Sequence, residues 1–447
     1  AADAAGATGA AGAVARELQP PPPALPKLGE GGVQATSAPV RAESATRFTF
    51  QRLAVQGASA VSAEQVSALG AAYVGQSVGE AELSAMLMGL RQRLDDAGLQ
   101  LAVIGLPRID LAQGLVTVDV VEPRLGRVTA PMGPDAPITD ARVRGLLSWF
   151  NLGEGQLLNF TALERVMFAL NDMPGVQAKA KLTPSGDEGV YNLSIQTTPR
   201  RAWDANLLLD NGGLASIGRV RAGLSARFNN PMGWGDNIDA QLMGTQNSGA
   251  EAARLAYELP VGYTPARLAL ATSAVRYRLG DAFSALGAHG TATINEAGLS
   301  YPLLRSRSRT LIVRAGFEDK TFRDTIDFDG SETTRKLRTS LLSLSWESRD
   351  GFGGGGFWGA SVAQRFGRVS WDSNLGTAPD TVGRYSKYEF QFSRLQQVAG
   401  PVSLFASVSQ QLASRNLDGA EKLGLGGARG VRAYASAEAA SDDATDR

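Results

Sequence analysis

From Arg201 onward, apolar and polar side chains alternate along the chain, and this pattern leaves few folds open to it. In RVRAGLSARF (219–228), residues such as Val220, Leu224 and Phe228 alternate with arginine or serine. A β-strand has a side-chain period of two, so such a stretch has one apolar and one polar face. The pattern therefore predicts an all-β C-terminal part. Similar stretches are NIDAQLM (237–243), ARLAYEL (253–259) and KYEFQFSR (387–394).

Alternation fits two architectures. In a water-soluble sandwich the apolar face is the core, whereas in a transmembrane barrel it contacts lipid and the polar face lines an aqueous lumen. Three features favour the barrel. The stretches are long enough to cross a membrane at a tilt, and the aromatic residues Tyr257, Trp346 and Trp371 lie near their ends. Short turns such as 230–236 alternate with longer segments such as 318–336, which is predicted to be a polar outer loop.

Composition excludes several classes of function. The 447 residues include no cysteine and one histidine, His289, so thiol and histidine catalysis are disfavoured and we expect neither an enzyme nor a cofactor. The formal net charge of zero gives no electrostatic case for nucleic acid. Absence of cysteine fits the periplasm, where thiols would oxidise. The glycine-rich run GLGGARG (424–430) lacks the Lys-Ser/Thr of a phosphate-binding loop.

The N-terminal half has a different sequence pattern, with helices as well as strands. Residues 1–46 are predicted to form a helix followed by a proline-rich linker. Residues 47–123 contain strand and helix patterns in the order β-α-α-β-β, and the same order recurs in 124–200. Two tandem α+β units are therefore predicted before the β-rich part, which spans 201–447.

The predicted number of strands does not allow the barrel to close. About eleven strands are predicted between Arg201 and Leu412. Bacterial single-chain barrels have even strand numbers, and an open edge in lipid leaves backbone groups without hydrogen bonds. We therefore expect this sequence to be a fragment that lacks the last strands of its barrel.

Two stretches resemble those of a known family. Leu207–Ile238 is similar to the first barrel hairpin of the two-partner secretion transporters (TpsB proteins), which belong to the superfamily of outer-membrane barrels that carry POTRA domains. GGARGVRAYASAE (426–438) is similar to the loop motif of that family, with Ala433 in place of the commoner glycine. The order of linker, two β-α-α-β-β units and barrel also matches. The hairpin residues that carry the resemblance are Asp210, Asn211, Gly218, Asn230, Pro231, Gly233, Gly235 and Asp236.

The resemblance implies a fold and a loop anchor. The fold is two periplasmic POTRA domains followed by a sixteen-stranded transmembrane barrel. The motif lies in a loop between strands eleven and twelve that folds back into the lumen. Arg432 is implied to anchor this loop by pairing with an acidic residue on a later strand, beyond the present sequence. The motif residues are Gly427, Gly430, Val431, Arg432 and Tyr434.

The resemblance also implies a function and partners. The protein would export a secreted partner protein of β-helical (TpsA) type across the outer membrane of a Gram-negative bacterium, with outer-membrane lipid around it and without nucleotide hydrolysis. POTRA domains would capture the client by strand addition, and the predicted edge lies near 176–184. The alternatives are an assembly factor that inserts other barrels, a passive porin, and POTRA units that act as spacers only.

Some charged residues allow two interpretations. The predicted lumen-facing arginines either guide an exported chain or simply pair with carboxylates such as Asp239 and Glu258, and we favour pairing. The acidic run 324–332 is interpreted as a solvated outer loop rather than a calcium site, since its spacing misses the EF-hand pattern. These arginines are Arg219, Arg221, Arg227 and Arg254.

Overall fold

A computed structural model describes residues 47–130, 135–400, 402–425 and 439–446. The predicted helix and linker of residues 1–46 lie outside this range. The described chain divides into two compact units, one ending at Pro199 and one beginning at Arg200. None of the described helices is long and apolar enough to cross a membrane.

The first unit contains two successive α+β folds with separate cores. In the first fold β6 pairs with β2, β4 and β5. Its elements are β1 (Phe48–Thr49), β2 (Arg52–Gln56), α1 (Ala63–Gly70), β3 (Ser77–Val78), α2 (Glu80–Asp96), β4 (Val103–Ile104), β5 (Arg108–Asp110) and β6 (Leu115–Val121).

The second fold has the element order β-α-α-β-β, and its sheet order β7-β9-β8 leaves β8 at an edge. The long helix α2 of the first fold and the helices of the second bury their leucines against these sheets. The elements of the second fold are β7 (Arg124–Thr129), α3 (Asp140–Trp149), α4 (Phe160–Asn171), β8 (Val176–Pro184) and β9 (Val190–Pro199).

Helix α2 begins at a carboxylate-capped turn. The backbone amide of Gly79 donates to Oε2 of Glu82 at 2.8 Å. This hydrogen bond lowers the pKa of the Glu82 carboxyl, and Arg47 adds to the effect. At the other end of the helix, burial raises the pKa of Asp95.

Asn159 joins the two α+β folds. Its side-chain oxygen accepts from the amide of Ala162 at 2.9 Å and so caps α4, while its Nδ2 donates to the carbonyl of Ala97 at 3.0 Å. The amide of Phe160 donates to the carbonyl of Gly98 at 2.7 Å. Gly98 has φ of +84°, and a Cβ there would lie 2.4 Å from the Asn159 oxygen. The junction therefore requires glycine and holds the two folds together.

We expect Asn159→Ala to destabilise the two-fold unit more than Thr139→Ala. Thr139 caps α3 through a single bond to the amide of Arg142. Its removal should cost about 1 kcal/mol, and loss of Asn159 about 2 kcal/mol because a second bond is lost too. Urea unfolding of a fragment spanning residues 47–199 measures both. Equal losses for the two variants would show that the Asn159 bond to the first fold has no net effect.

The second unit is one antiparallel sheet in which eleven long strands follow one another in chain order and a short twelfth, β23, pairs with β20. This confirms the predicted fold class and strand number. The strands of this sheet are β10 (Trp203–Asp210), β11 (Arg221–Asn229), β12 (Asn237–Thr245), β13 (Ala250–Pro260), β14 (Arg267–Arg278), β15 (Ala288–Arg305), β16 (Arg309–Ile326), β17 (Ser331–Asp350), β18 (Gly356–Ser373), β19 (Gly383–Ala399), β20 (Val402–Ala413) and β23 (Ala444–Asp446). A separate two-stranded sheet consists of β21 (Leu423–Leu425) and β22 (Ala439–Ser441).

The apolar face of this sheet is its exposed outer face. Leu207 is 81% exposed, and alternate residues of the other strands are similarly uncovered. A water-soluble sandwich would bury this face, whereas lipid covers it in a transmembrane barrel. The outer face of the sheet is therefore suited to contact lipid. Further exposed apolar residues are Leu224, Leu242, Leu255, Leu270, Leu299, Phe317, Leu342, Leu344, Phe366, Phe390, Phe392 and Leu404.

Two expectations about the outer part of the sheet were wrong. Segment 318–336 is not a long loop, because β16 and β17 continue through it and only residues 327–330 form the turn. Trp371 is not at the lipid boundary, because it lies opposite the buried Arg335 and so on the inner face. Polar composition suggested a loop, but the inner charges of this segment are paired inside the barrel.

Candidate functional site

The inner face of the sheet carries an apolar cluster in addition to polar residues. Phe322, Leu337 and Val369 of the wall are buried in it, together with Leu417 from the segment after β20. Ala420 packs against the same cluster. We call residues 414–422 the loop stem. Part of the interior is therefore filled with packed side chains, although the sequence predicted a polar lumen.

Asp418 of the loop stem is bound by Arg335 of β17. The guanidinium Nη1 lies 2.7 and 2.6 Å from the two carboxylate oxygens, and Nη2 lies 2.9 Å from Oδ2 of Asp324 on β16. Both Arg335 and Asp418 are only 4% exposed. The guanidinium also lies over the ring of Phe322, 5.1 Å from its centroid. Tyr277 donates to Asp324 from the other side. Asp324 is thus buried and paired, which corrects its assignment to a solvated loop.

Glu421, also on the loop stem, binds two lysines of the wall. Its oxygens lie 2.7 Å from Nζ of Lys320 on β16 and 3.1 Å from Nζ of Lys387 on β19. Lys387 also donates to the backbone carbonyl of Glu421 at 2.8 Å. The wall supplies further carboxylates to these lysines at 2.7 and 2.8 Å, from Glu318 and Glu389.

Arg365 of β18 completes this arrangement. It lies 2.6 Å from Glu318 and 3.1 Å from Glu389, so it joins the two wall carboxylates that also contact the lysines. Charges removed from water are stable only when fully paired and hydrogen bonded. We call the set the lumen charge cluster; its members are Glu318, Lys320, Asp324, Arg335, Arg365, Lys387, Glu389, Asp418 and Glu421.

The far end of the same loop returns to the stem. Asp442 accepts from the amide of Leu417 at 2.8 Å and lies 3.3 Å from Nζ of Lys422. Strands β21 and β22 pair with each other. Both ends of the loop are therefore tied together and held to the wall. The predicted motif residues Gly427, Gly430, Val431, Arg432 and Tyr434 lie between them, outside the described residues.

At one end of the first hairpin, Asp210 accepts from Nε of Arg221 at 2.8 Å and from its Nη2 at 3.0 Å. Asn211 follows the strand and is exposed. Gly218 has φ of +103° where the loop turns back. Arg219, predicted to face the lumen, lies in this loop before β11 begins and is exposed.

The opposite end of β11 is a glycine-rich turn. Asn230, Gly233 and Gly235 all have positive φ, and the side-chain oxygen of Asn230 accepts from the amide of Gly235 at 2.6 Å. Pro231 is exposed at the tip, while Asp236 is fully buried. Asp236 accepts from two backbone amides of the turn and from a tyrosine hydroxyl. The motif residues of this stretch thus shape a turn.

The remaining predicted arginines pair with wall carboxylates. Arg227 lies 2.7 Å from Asp239, and Arg254 makes two hydrogen bonds of 2.7 and 2.8 Å to Glu296. Glu258, named as a possible partner from the sequence, pairs with a different arginine. None of the predicted arginines is a member of the lumen charge cluster. Sequence reasoning missed that cluster, although its wall residues occupy alternate strand positions.

Comparison with known proteins decides what this barrel is. Residues 189–445 match the family described as haemolysin secretion/activation protein ShlB/FhaC/HecB, which is more than half of the chain. The chain belongs to this family. Residues 48–123 match the ShlB-type POTRA domain. The resemblance is confirmed, and it assigns the protein to the bacterial outer membrane with POTRA structure in the periplasm.

Individual relatives are distant. The chain is 23% identical over 387 residues to the heme/hemopexin transporter protein HuxB of Haemophilus influenzae (83% of this chain, 66% of HuxB). It is 24% identical over 397 residues to the outer membrane transporter CdiB of Escherichia coli (87% of this chain, 66% of CdiB). It thus spans about two thirds of their length.

Solved structures agree on the fold. The structure of CdiB from Escherichia coli superposes with a TM-score of 0.73 at 22% identity, covering 92% of this chain and 76% of that one. CdiB from Acinetobacter baumannii gives a TM-score of 0.67 at 17% identity, covering 93% and 78%. At these identities the likeness establishes the fold alone.

Proposed function

We propose that this family member exports a secreted partner protein across the outer membrane, and that it does so as a transporter rather than an enzyme. The observation that carries the proposal is the loop stem held against the inner barrel wall by buried ion pairs. Such a loop is a removable obstruction in a pore. HuxB, a heme/hemopexin transporter, and CdiB, an outer membrane transporter, are both transporters, and this supports the same conclusion.

The α+β folds offer a route for client capture. Strand β8 lies at the edge of its sheet; the Asn171 side chain bonds the amide and carbonyl of Ala178 on its free side, so a further strand would add along the stretch that follows, 180–184. An extended client adds there through main-chain hydrogen bonds with little demand on its sequence. This suits export of an unfolded, β-rich partner of the β-helical type, and it needs no nucleotide.

Replacing Arg432 by alanine in the complete protein tests the function. The guanidinium is proposed to fix the loop tip by pairing with a carboxylate, so we expect export of the co-expressed partner to fall sharply while heat-modifiability of the barrel on gels is retained. Partner protein in the medium is the readout. Ala433→Gly, which restores the commoner residue, is the matched control and should export normally.

Two results would contradict these assignments. Normal export by Arg432→Ala would remove the anchor role. Depletion of the protein followed by loss of many unrelated outer-membrane proteins would favour the alternative function, a barrel assembly factor. Retention of those proteins together with loss of one exoprotein supports export.

A further inference from the structure

Three arginines lie side by side on adjacent strands of the barrel. Arg338 of β17 is the register partner of Arg368 of β18, and Arg368 is the partner of Arg384 of β19. Directly opposed residues of antiparallel strands have Cβ atoms about 5 Å apart, and like charges in such pairs are destabilising. We call these residues the arginine row. An anion bound between these arginines would relieve the repulsion among their guanidinium groups.

The arginine row faces away from the lumen. Along the strands its members alternate with Leu337, Thr339 and Tyr385, which are buried on the inner face. Since successive strand residues point to opposite faces, the arginines point outward. All three are exposed, and Arg338 is 71% exposed. The exported chain, inside the barrel, does not meet them.

Protein carboxylates neutralise only one end of the row. Asp319 of β16 lies 3.0 Å from Nε of Arg338. Within the described part of the chain, Arg368 and Arg384 have no carboxylate within ion-pair distance. Nearer the cell-surface end of the strands, Lys336 adds another outward-facing cation. One outward step beyond it, Arg323 and Asp372 flank Thr334 on the two neighbouring strands and contribute opposite charges. The surface therefore keeps an excess of positive charge.

The position of the arginine row along the membrane normal indicates which part of the membrane contacts it. The chain enters the sheet from the periplasmic units at β10, so β16 and β18 run toward the cell surface. One outward step below the row lie Phe317 and Phe366, both exposed. Trp346, on the outer face near the periplasmic end of β17, is eight residues from Arg338. That separation is about 27 Å along a strand, or about 20 Å of height at the usual tilt, close to the roughly 25 Å of a barrel's apolar band.

The arginine row thus lies at the outer boundary of the hydrocarbon, where lipid headgroups begin. Guanidinium groups bind phosphate oxygens through paired hydrogen bonds, and several arginines together share one diphosphorylated headgroup. The outer leaflet of this membrane presents phosphates at that depth on lipopolysaccharide. We propose that Arg338, Arg368 and Arg384 form a binding site for the phosphate groups of lipopolysaccharide, independent of the export function.

Binding to purified lipid A tests the site. Complete protein is prepared free of lipopolysaccharide in detergent, and bis-phosphorylated or dephosphorylated lipid A is titrated while complexes are counted by native mass spectrometry. We expect the triple variant R338Q/R368Q/R384Q to bind the phosphorylated form at least about tenfold more weakly than the parent, since loss of even one charge-assisted bond costs about a factor of ten. The dephosphorylated form should bind both proteins equally weakly.

A control removes the same number of charges elsewhere. Arg307, Arg309 and Arg349 are exposed at the periplasmic ends of β15 to β17, and their triple glutamine variant should bind like the parent. Equal affinity of the arginine-row variant and the parent would overturn the proposal. So would equal weakening by the control, or full competition by inorganic phosphate at equal concentration, which would indicate a site for free phosphate.

Thermal unfolding of Arg368→Gln, measured with and without lipid A, separates a loss of binding from a folding defect. Without lipid A the variant should melt at the same temperature as the parent or higher, because a central repulsion is removed. With phosphorylated lipid A it should gain less stabilisation than the parent, because a ligand stabilises only in proportion to its binding. A variant that melts lower without lipid and gains as much with it would show a structural role instead.

Discussion

Exchange of Asp418 for asparagine together with Glu421 for glutamine is expected to release the loop stem from the barrel wall. The two carboxylates are the loop's ligands for Arg335, Lys320 and Lys387, all of them buried. Breaking a buried pair by removing one partner costs about 3 kcal/mol or more. Each 1.4 kcal/mol is a factor of ten, so the released population should rise at least about a hundredfold.

A single cysteine reports this release, and none of the 447 residues is itself a cysteine. Ala420→Cys places a thiol in the loop stem, against the inner cluster. Maleimide labelling on whole cells should be slow in that parent and much faster after the double exchange. The matched control, Asp239→Asn with Glu258→Gln, removes two inner-face carboxylates that pair within the wall. Labelling that is equally slow in the double variant and the control would refute the anchor.

The second large effect concerns barrel stability. Replacement of Arg335 by methionine leaves Asp418 and Asp324 buried without their shared cation, and we expect the free energy of unfolding to fall by about 3–5 kcal/mol. Methionine fills much of the same space, so the loss reports the missing charge rather than a cavity. Urea unfolding in lipid vesicles, followed by tryptophan fluorescence, measures it.

Rescue and control distinguish a charge effect from a general defect. Adding Asp324→Asn and Asp418→Asn to Arg335→Met removes the uncompensated charges and should restore part of the lost stability. Arg227→Met breaks an inner-face pair whose arginine is 56% exposed, and it should have a small effect because water screens that pair. If Arg227→Met costs as much as Arg335→Met, burial is not the reason for the loss.

The lumen charge cluster is one anchor of the loop, and the proposed role of Arg432 would add a second. The cluster holds the loop stem to β16, β17 and β19 through residues that the structure describes. Arg432 lies outside the described residues, and its role remains the prediction that export assays test. A variant that frees the stem and still exports would separate the two.

The first hairpin motif shows how far a motif predicts geometry. Positive φ at Asn230, Gly233 and Gly235 explains why these residue types stand there, and the buried Asp236 ties the turn together. Such requirements are local, so they are readable from sequence. The partners of Arg254 were not readable, because Glu296 lies far along the chain and only strand register brings it near.

The boundary between strand and loop was the least predictable feature of the barrel. Segment 318–336 is rich in charged and polar residues, which usually indicates a loop. It remains strand because Lys320, Asp324 and Arg335 find partners on the inner face. The outward-pointing residues of this segment lie beyond the hydrocarbon of the membrane, so they can be polar. Whether a charge is solvated or paired depends on residues distant in sequence, and no window of the sequence contains that information.

The sequence by itself determined the order of elements and the strand period, because these depend on local side-chain alternation; alternation fits an inward or an outward apolar face equally well, and segment length only favoured the outward one. Only the tertiary structure decided which charges meet. Curvature of the sheet and the return of the loop into the lumen bring Asp418 and Glu421 to cations on three strands. Cross-strand register likewise sets Arg338, Arg368 and Arg384 in one row. Both contacts join residues that chain connectivity alone leaves far apart.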